Sequence, residues 1–105
     1  MKFNYMNEND EIITSVYVNP ITKKVKIKNY TDDIVDLAFG VNEKPNYQDV
    51  LDFFESRCVP RDRKSINDIL ELLGLKEYDP YLICKFNHGR TAQDENWIDF
   101  LEDKL

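Results

Sequence analysis

At 105 residues the chain has room for one domain, spanning residues 1–105, with one modest core. That length excludes a complete kinase, a TIM barrel or a two-domain nucleotide enzyme. Hydrophobic residues make up 42% and aromatics 12%, too many for a disordered chain, while 20 acids against 14 bases argue against nucleic acid as a direct ligand.

In chain order, the first twelve residues (MKFNYMNENDEI) hold one lysine and early acids around no apolar run, so no secretory leader is expected. Glu11 to Val18 is rich in β-branched and aromatic residues and reads as a strand. Asn19-Pro20 marks a turn, and Lys23 to Lys28 alternates charged with apolar residues. Val25 and Ile27 are expected to face inward, with Lys24, Lys26 and Lys28 outward. The lysines suit either an anion-binding stripe or a solvated face that blocks edge pairing. From Thr31 a short helix is predicted: Thr31 as N-cap, Asp32 and Asp33 in the first turn, Gly40 as terminator. Strand is the alternative for Ile34 to Phe39. Val41 to Asn46, with Pro45, is a loop.

Three further helices are expected. One follows Asn46 and runs from Tyr47 to about Cys58, with Val50, Leu51, Phe53, Phe54 and Cys58 on its apolar face, stopping before Pro60. A second runs from Arg63 to Leu73, where Ile66, Ile69, Leu70 and Leu73 recur at helical spacing, and Gly74 closes it in a left-handed conformation. Asp79 caps the third, with Pro80 at its first position, Leu82, Ile83 and Phe86 packing, and Gly89 near its end. Trp97, Ile98 and Phe100 form a closing strand in an acidic tail of Asp94, Glu95, Asp99, Glu102 and Asp103. The fold class is therefore α+β: a small antiparallel sheet, made of an N-terminal hairpin and a candidate C-terminal strand, packed with three to four short helices.

Few residues offer chemistry. His88 is the single histidine, and Cys58 and Cys84 lie 26 positions apart with no paired spacing. These three could supply a metal site or a cysteine–histidine nucleophile pair, but neither has a supporting ligand pattern, and the thiols are expected to be reduced and cytosolic. Phosphate-binding glycine motifs and a nucleophile elbow are absent from the sequence. We therefore expect no catalytic residues, no cofactor and no metal. The outstanding segment is Arg57-Cys58-Val59-Pro60-Arg61-Asp62-Arg63-Lys64, four bases around a proline in an acidic chain. It could grip an acidic partner, or Arg57 and Arg61 could pair internally with Asp52, Glu55 or the tail acids.

The series Asp52-Phe53-Phe54-Glu55, Arg57-Cys58-Val59-Pro60, Arg61-Asp62-Arg63, Gly74-Leu75, Asp79-Pro80-Tyr81-Leu82-Ile83 and Gly89 resembles the N-terminal subdomain of HipA-type serine/threonine kinase toxins. Asn19 to Val25 resembles that subdomain's opening hairpin, and the likeness spans residues 14–90. The chain departs from it where Cys58-Val59-Pro60 stands for Leu-Leu-Pro and where the glutamate–glycine after the proline is missing. It also lacks the kinase's catalytic and ATP-binding motifs. The resemblance implies a non-catalytic, antitoxin-like or accessory protein that docks on a HipA-like kinase; the lack of a leader and of an apolar span in the sequence makes a cytoplasmic protein without a membrane contact the expectation. Arg57, Arg61, Arg63, Lys64 and Trp97 are the candidate partner-binding residues. Two alternatives stand beside it: an acidic phage or mobile-element inhibitor of a nucleic-acid-handling defence enzyme, acting through the tail acids, and a nucleic-acid-binding accessory domain using the Lys23–Lys28 strand with the arginine loop.

Overall fold

The hairpin marked by the alternating sequence lies on one side of a larger sheet. The computed structural model describes residues 1–101, so Glu102 and Asp103 of the acidic tail lie outside it. It contains β1 (Lys2–Met6), β2 (Ile12–Val18), β3 (Val25–Asn29), α1 (Tyr47–Ser56), α2 (Ile66–Leu73), α3 (Pro80–Asn87) and β4 (Trp97–Phe100). The strands form one antiparallel sheet in the order β3-β2-β1-β4.

β1 is a strand that the reading from sequence did not anticipate. Its Phe3 and Tyr5 alternate with Lys2 and Asn4, and it pairs with β2 on one side and β4 on the other. Asn7 turns the chain from β1 into β2: its side-chain oxygen accepts from the backbone N–H groups of Asn9 and Glu11, both at 2.9 Å. Asn19 does the same between β2 and β3, accepting from Ile21 and Thr22. Val25 and Ile27 are half-buried, and Lys24, Lys26 and Lys28 are exposed, as their alternation requires.

One face of the sheet carries Phe3, Tyr5, Val16, Val18, Ile98 and Phe100 against Val50, Phe53 and Phe54 of α1 and Cys84 of α3. Phe3 and Phe54 are fully buried with ring centroids 4.9 Å apart. Each such ring contributes about 1.5–3 kcal/mol through burial, so this aromatic contact anchors helix to sheet. Lys2, Asn4, Ser15, Tyr17, Lys26 and Lys28 occupy the alternate positions of the same register and form the other face.

Asn46 caps α1 through a reciprocal pair: Asp49 N–H donates to its side-chain oxygen, and its own N–H donates to the Asp49 carboxylate, both at 2.8 Å. α1 ends at Ser56 with Arg57 as its C-cap, short of the expected Cys58. α2 begins at Ile66 and not at Arg63, because residues 60–64 form turns after Pro60. Leu70 alone is buried along its stripe, so the helix lies at the periphery. Gly74 closes it at φ 74°. Asp79 caps α3, accepting from Leu82 N–H at 3.2 Å.

Two expectations fail. The predicted helix from Thr31 is a series of turns. The Asp33 carboxylate accepts from Val35 N–H two residues on, competing with helical bonding, and Ile34 and Val35 are 52% and 91% exposed, so no apolar face rewards a helix there. Leu82 and Phe86, expected to pack, are exposed. They sit four apart on the face of α3 turned from the sheet, while Ile83 and Cys84 are buried. Among the described residues, no helix is long and apolar enough to cross a membrane.

Candidate functional site

The basic segment after α1 divides by burial. Arg57 is 6% exposed, and its guanidinium is enclosed by groups from three distant stretches of chain. Nε donates to Gly89 O at 2.8 Å; Nη1 donates to Tyr5 Oη and Asp94 Oδ2, both at 3.1 Å; Nη2 donates to Asp94 Oδ1 at 2.7 Å and Asn96 O at 3.1 Å. The five N–H groups of a guanidinium are thereby all satisfied. Tyr5 Oη also accepts from Asn96 Nδ2 at 2.8 Å. Burial works against the charge on Arg57, but the hydrogen bond and charge of Asp94 outweigh it and hold the guanidinium above its ordinary value. The same hydrogen bond from Arg57 holds the Asp94 carboxyl below the usual carboxylate range. Burial pushes the Tyr5 hydroxyl up.

The sequence marks Arg57 as a candidate partner contact, but the fold engages it internally. No donor remains on it for another molecule. Of the internal partners weighed from sequence, the C-terminal tail supplies the acid, through Asp94.

Arg61 and Arg63 are different. Both are exposed on the turns after Pro60, and both line an open groove of about 780 Å³ with Glu55, Cys58, Asp62 and Arg90. The Arg61 guanidinium sits 4.5 Å from the Tyr78 ring centroid, a contact worth about 0.5–1 kcal/mol at an exposed site and easily exchanged for a partner. Lys64 is exposed beside the groove but does not line it. Trp97 is half-buried on β4 opposite Met6; its indole N–H donates to Asn7 O at 3.2 Å. Arg90 joins the two regions, lining the groove while its guanidinium lies 5.3 Å from the Trp97 ring centroid.

Arg90 is a groove residue that the linear order did not reveal. Its only local signal was a position next to Gly89, whose tight turn brings residues 87–93 beside the end of α1. Tyr5 and Asn96 were equally silent, being 52 and 39 positions from Arg57, whereas Asp94 is one of the tail acids that the sequence offers Arg57 as partners. His88 stands at the end of α3 in a left-handed conformation, exposed, with its ring 6.3 Å from that of Trp97. Among the described residues, no three histidine, cysteine or acidic side chains gather as a metal site would require. Among the described tail acids, Asp94 serves Arg57 and lines a cleft with Glu8, Asp10 and Glu95, where Glu95 raises the Glu8 carboxyl by hydrogen bonding and charge; Asp99 lies in β4 opposite Asn4.

Compared with protein-family models, curated proteins and solved structures, the chain matches none.

Proposed function

We propose that this chain is a non-catalytic protein-interaction module that docks, through the groove lined by Arg61, Arg63 and Arg90, on a partner presenting acidic side chains. The observation that carries it is the division of labour in the basic segment: Arg57 latches the end of α1 to the Asp94 turn, so the exposed arginines stand on a braced frame. Bracing reduces the ordering cost of binding, and arginine is the cation best suited to grip carboxylates in pairs. The resemblance to the HipA N-terminal subdomain makes a HipA-like kinase the partner of choice, with this chain as its antitoxin-like or accessory subunit. The acidic-inhibitor reading is weakened where Asp94, one of its tail acids, is engaged by Arg57.

A second reading has its own observation. Among the described residues, the sheet face away from the helices sets Lys2, Lys26 and Lys28 among Tyr17 and Tyr30, cations and rings that suit a single-stranded nucleic acid.

Calorimetric titration against a HipA-type kinase core that lacks its own N-terminal subdomain separates the two. Docking predicts micromolar or tighter binding that falls about tenfold or more in Arg61→Glu/Arg63→Glu. Absence of heat with the kinase, together with salt-sensitive binding of a single-stranded oligonucleotide lost in Lys26→Glu/Lys28→Glu, would replace the first reading by the second.

A further inference from the structure

The two cysteines, far apart in sequence, converge on the last turn of α1. Cys58 Sγ lies 3.7 Å from Glu55 O and 3.6 Å from Val59 O; Cys84 Sγ lies 3.3 Å from Phe54 O and 3.7 Å from Arg57 O. Cys84 thus touches the carbonyl of the peptide that leads into Cys58. The two differ in access. Cys58 is half-exposed and lines the open groove, whereas Cys84 is fully buried. Tyr78 Oη stands 3.2 Å from Cys58 Sγ and 2.7 Å from Val59 O, so its proton can turn toward the sulfur when a thiolate forms.

We propose that Cys58 and Cys84 form a reactive dithiol that reduces small hydroperoxides and closes into an intramolecular disulfide. The electrostatics assign the roles. A hydrogen bond from Cys84, helped by Tyr78 against burial and the charges of Glu55 and Asp79, brings the Cys58 thiol down to about 7. The hydrogen bond with Cys58 and burial push Cys84 far up, so it stays a protonated thiol. Cys58 is the attacking sulfur and Cys84 the resolving one. In the first step the Cys58 thiolate attacks the distal oxygen of the hydroperoxide. The O–O bond breaks, Cys58 is oxidised to a sulfenic acid, and the alkoxide leaves as the alcohol after taking a proton. In the second step the Cys84 sulfur attacks the Cys58 sulfur. The S–S bond forms, and hydroxide leaves with the Cys84 proton as water.

The test uses the full chain treated with one equivalent of hydrogen peroxide at pH 7, quenched with a thiol alkylator under denaturing conditions and weighed intact. The expected product is a monomer lighter by two hydrogens with no alkylatable thiol. Cys84→Ser should instead hold a sulfenic acid at Cys58, trapped by a 1,3-dicarbonyl reagent, and Cys58→Ser should resist oxidation. Peptide mapping of the unaltered protein after brief alkylation guards against variants that fold poorly: Cys58 should react at least tenfold faster than Cys84. Two free thiols after peroxide, an intermolecular disulfide, or equal alkylation of both cysteines would each overturn the proposal.

Discussion

Arg57 shows how a residue type misleads when its surroundings are unknown. Arginine beside proline and three further bases has the look of a contact surface, yet this one meets five acceptors inside the fold. Two of them, Gly89 O and Asn96 O, are backbone carbonyls that a shorter side chain would leave without a partner. Asp94→Asn keeps the shape and removes the charge, leaving the guanidinium uncompensated. The Asp94 side chain is 38% exposed, so water softens the loss; we expect the variant to be about 1–3 kcal/mol less stable at pH 7 in urea unfolding. The pH dependence has a definite sign. The Asp94 carboxyl is lowered in the folded state, so its stabilisation is complete above the ordinary carboxyl value near ~4 and is lost as pH falls through the lower folded value. The gap between native and Asp94→Asn midpoints should therefore be open at neutral pH and close in acid. A gap of constant size down to the acid limit would show that the ion pair is not its source.

At the level of elements, the helix ends are where local chemistry speaks most clearly. Asn46 with Asp49 and Asp79 with Pro80 are start signals that need no tertiary help, and the structure places α1 and α3 directly after them. Ends are less legible, since the same left-handed backbone serves two purposes here. Gly74, at φ 74°, has open space where a Cβ would stand; Gly89, at φ 64°, would place its Cβ 2.5 Å from Ile98 Cδ1. Gly74→Ala should thus cost only backbone strain, about 1 kcal/mol, and Gly89→Ala about 2–4 kcal/mol, since it must also displace a fully buried side chain of β4. Thermal melts of the two variants check this; equal losses would mean that the α3–β4 contact gives way freely. Leu82 and Phe86 escaped the reading because hydrophobicity at helical spacing indicates a face, not what covers it. α3 meets α1 through Cys84, whose Sγ reaches Phe54 O, and Tyr81, whose ring centroid lies 5.4 Å from that of Phe54, while among the described residues Leu82 and Phe86 are left exposed.

For the molecule as a whole, sheet order decides how the chain holds together. β1, from the extreme N-terminus, lies between β2 and β4, and β4 comes from the last stretch of the described chain. Phe3 pairs with Val16 on one side and Phe100 on the other. Closing that second ladder spans nearly the full sequence and must be offset by the aromatic core it completes. A chain ending at Asn96 would lose Ile98 and Phe100 from the core and expose the edge of β1. We expect it to lack a cooperative unfolding transition, with native-like chemical-shift dispersion lost as well. A truncated chain that still melts cooperatively would show that the hairpin and helices hold β1 unaided. The groove depends on the same closure, because Arg90 reaches it only when the segment before β4 folds back across the end of α1.

Local grammar was enough for α+β class, for the β2–β3 hairpin with its lysines outward, for three helices, two of them with side-chain N-caps, and for the β4 strand. Each rests on interactions spanning a few residues: period-two alternation, a capping carboxylate, a proline at a helix start. What required folding in three dimensions was the partnership of residues 26 to 97 positions apart: β1 laddered to β4, Arg57 turned inward to Asp94, Arg90 brought to the groove, and Cys84 set beside Cys58. Such contacts leave no periodic trace, because they arise from which buried surfaces fit together. An arginine or a cysteine reads identically in one dimension whether the folded chain gives it a partner or leaves it to solvent.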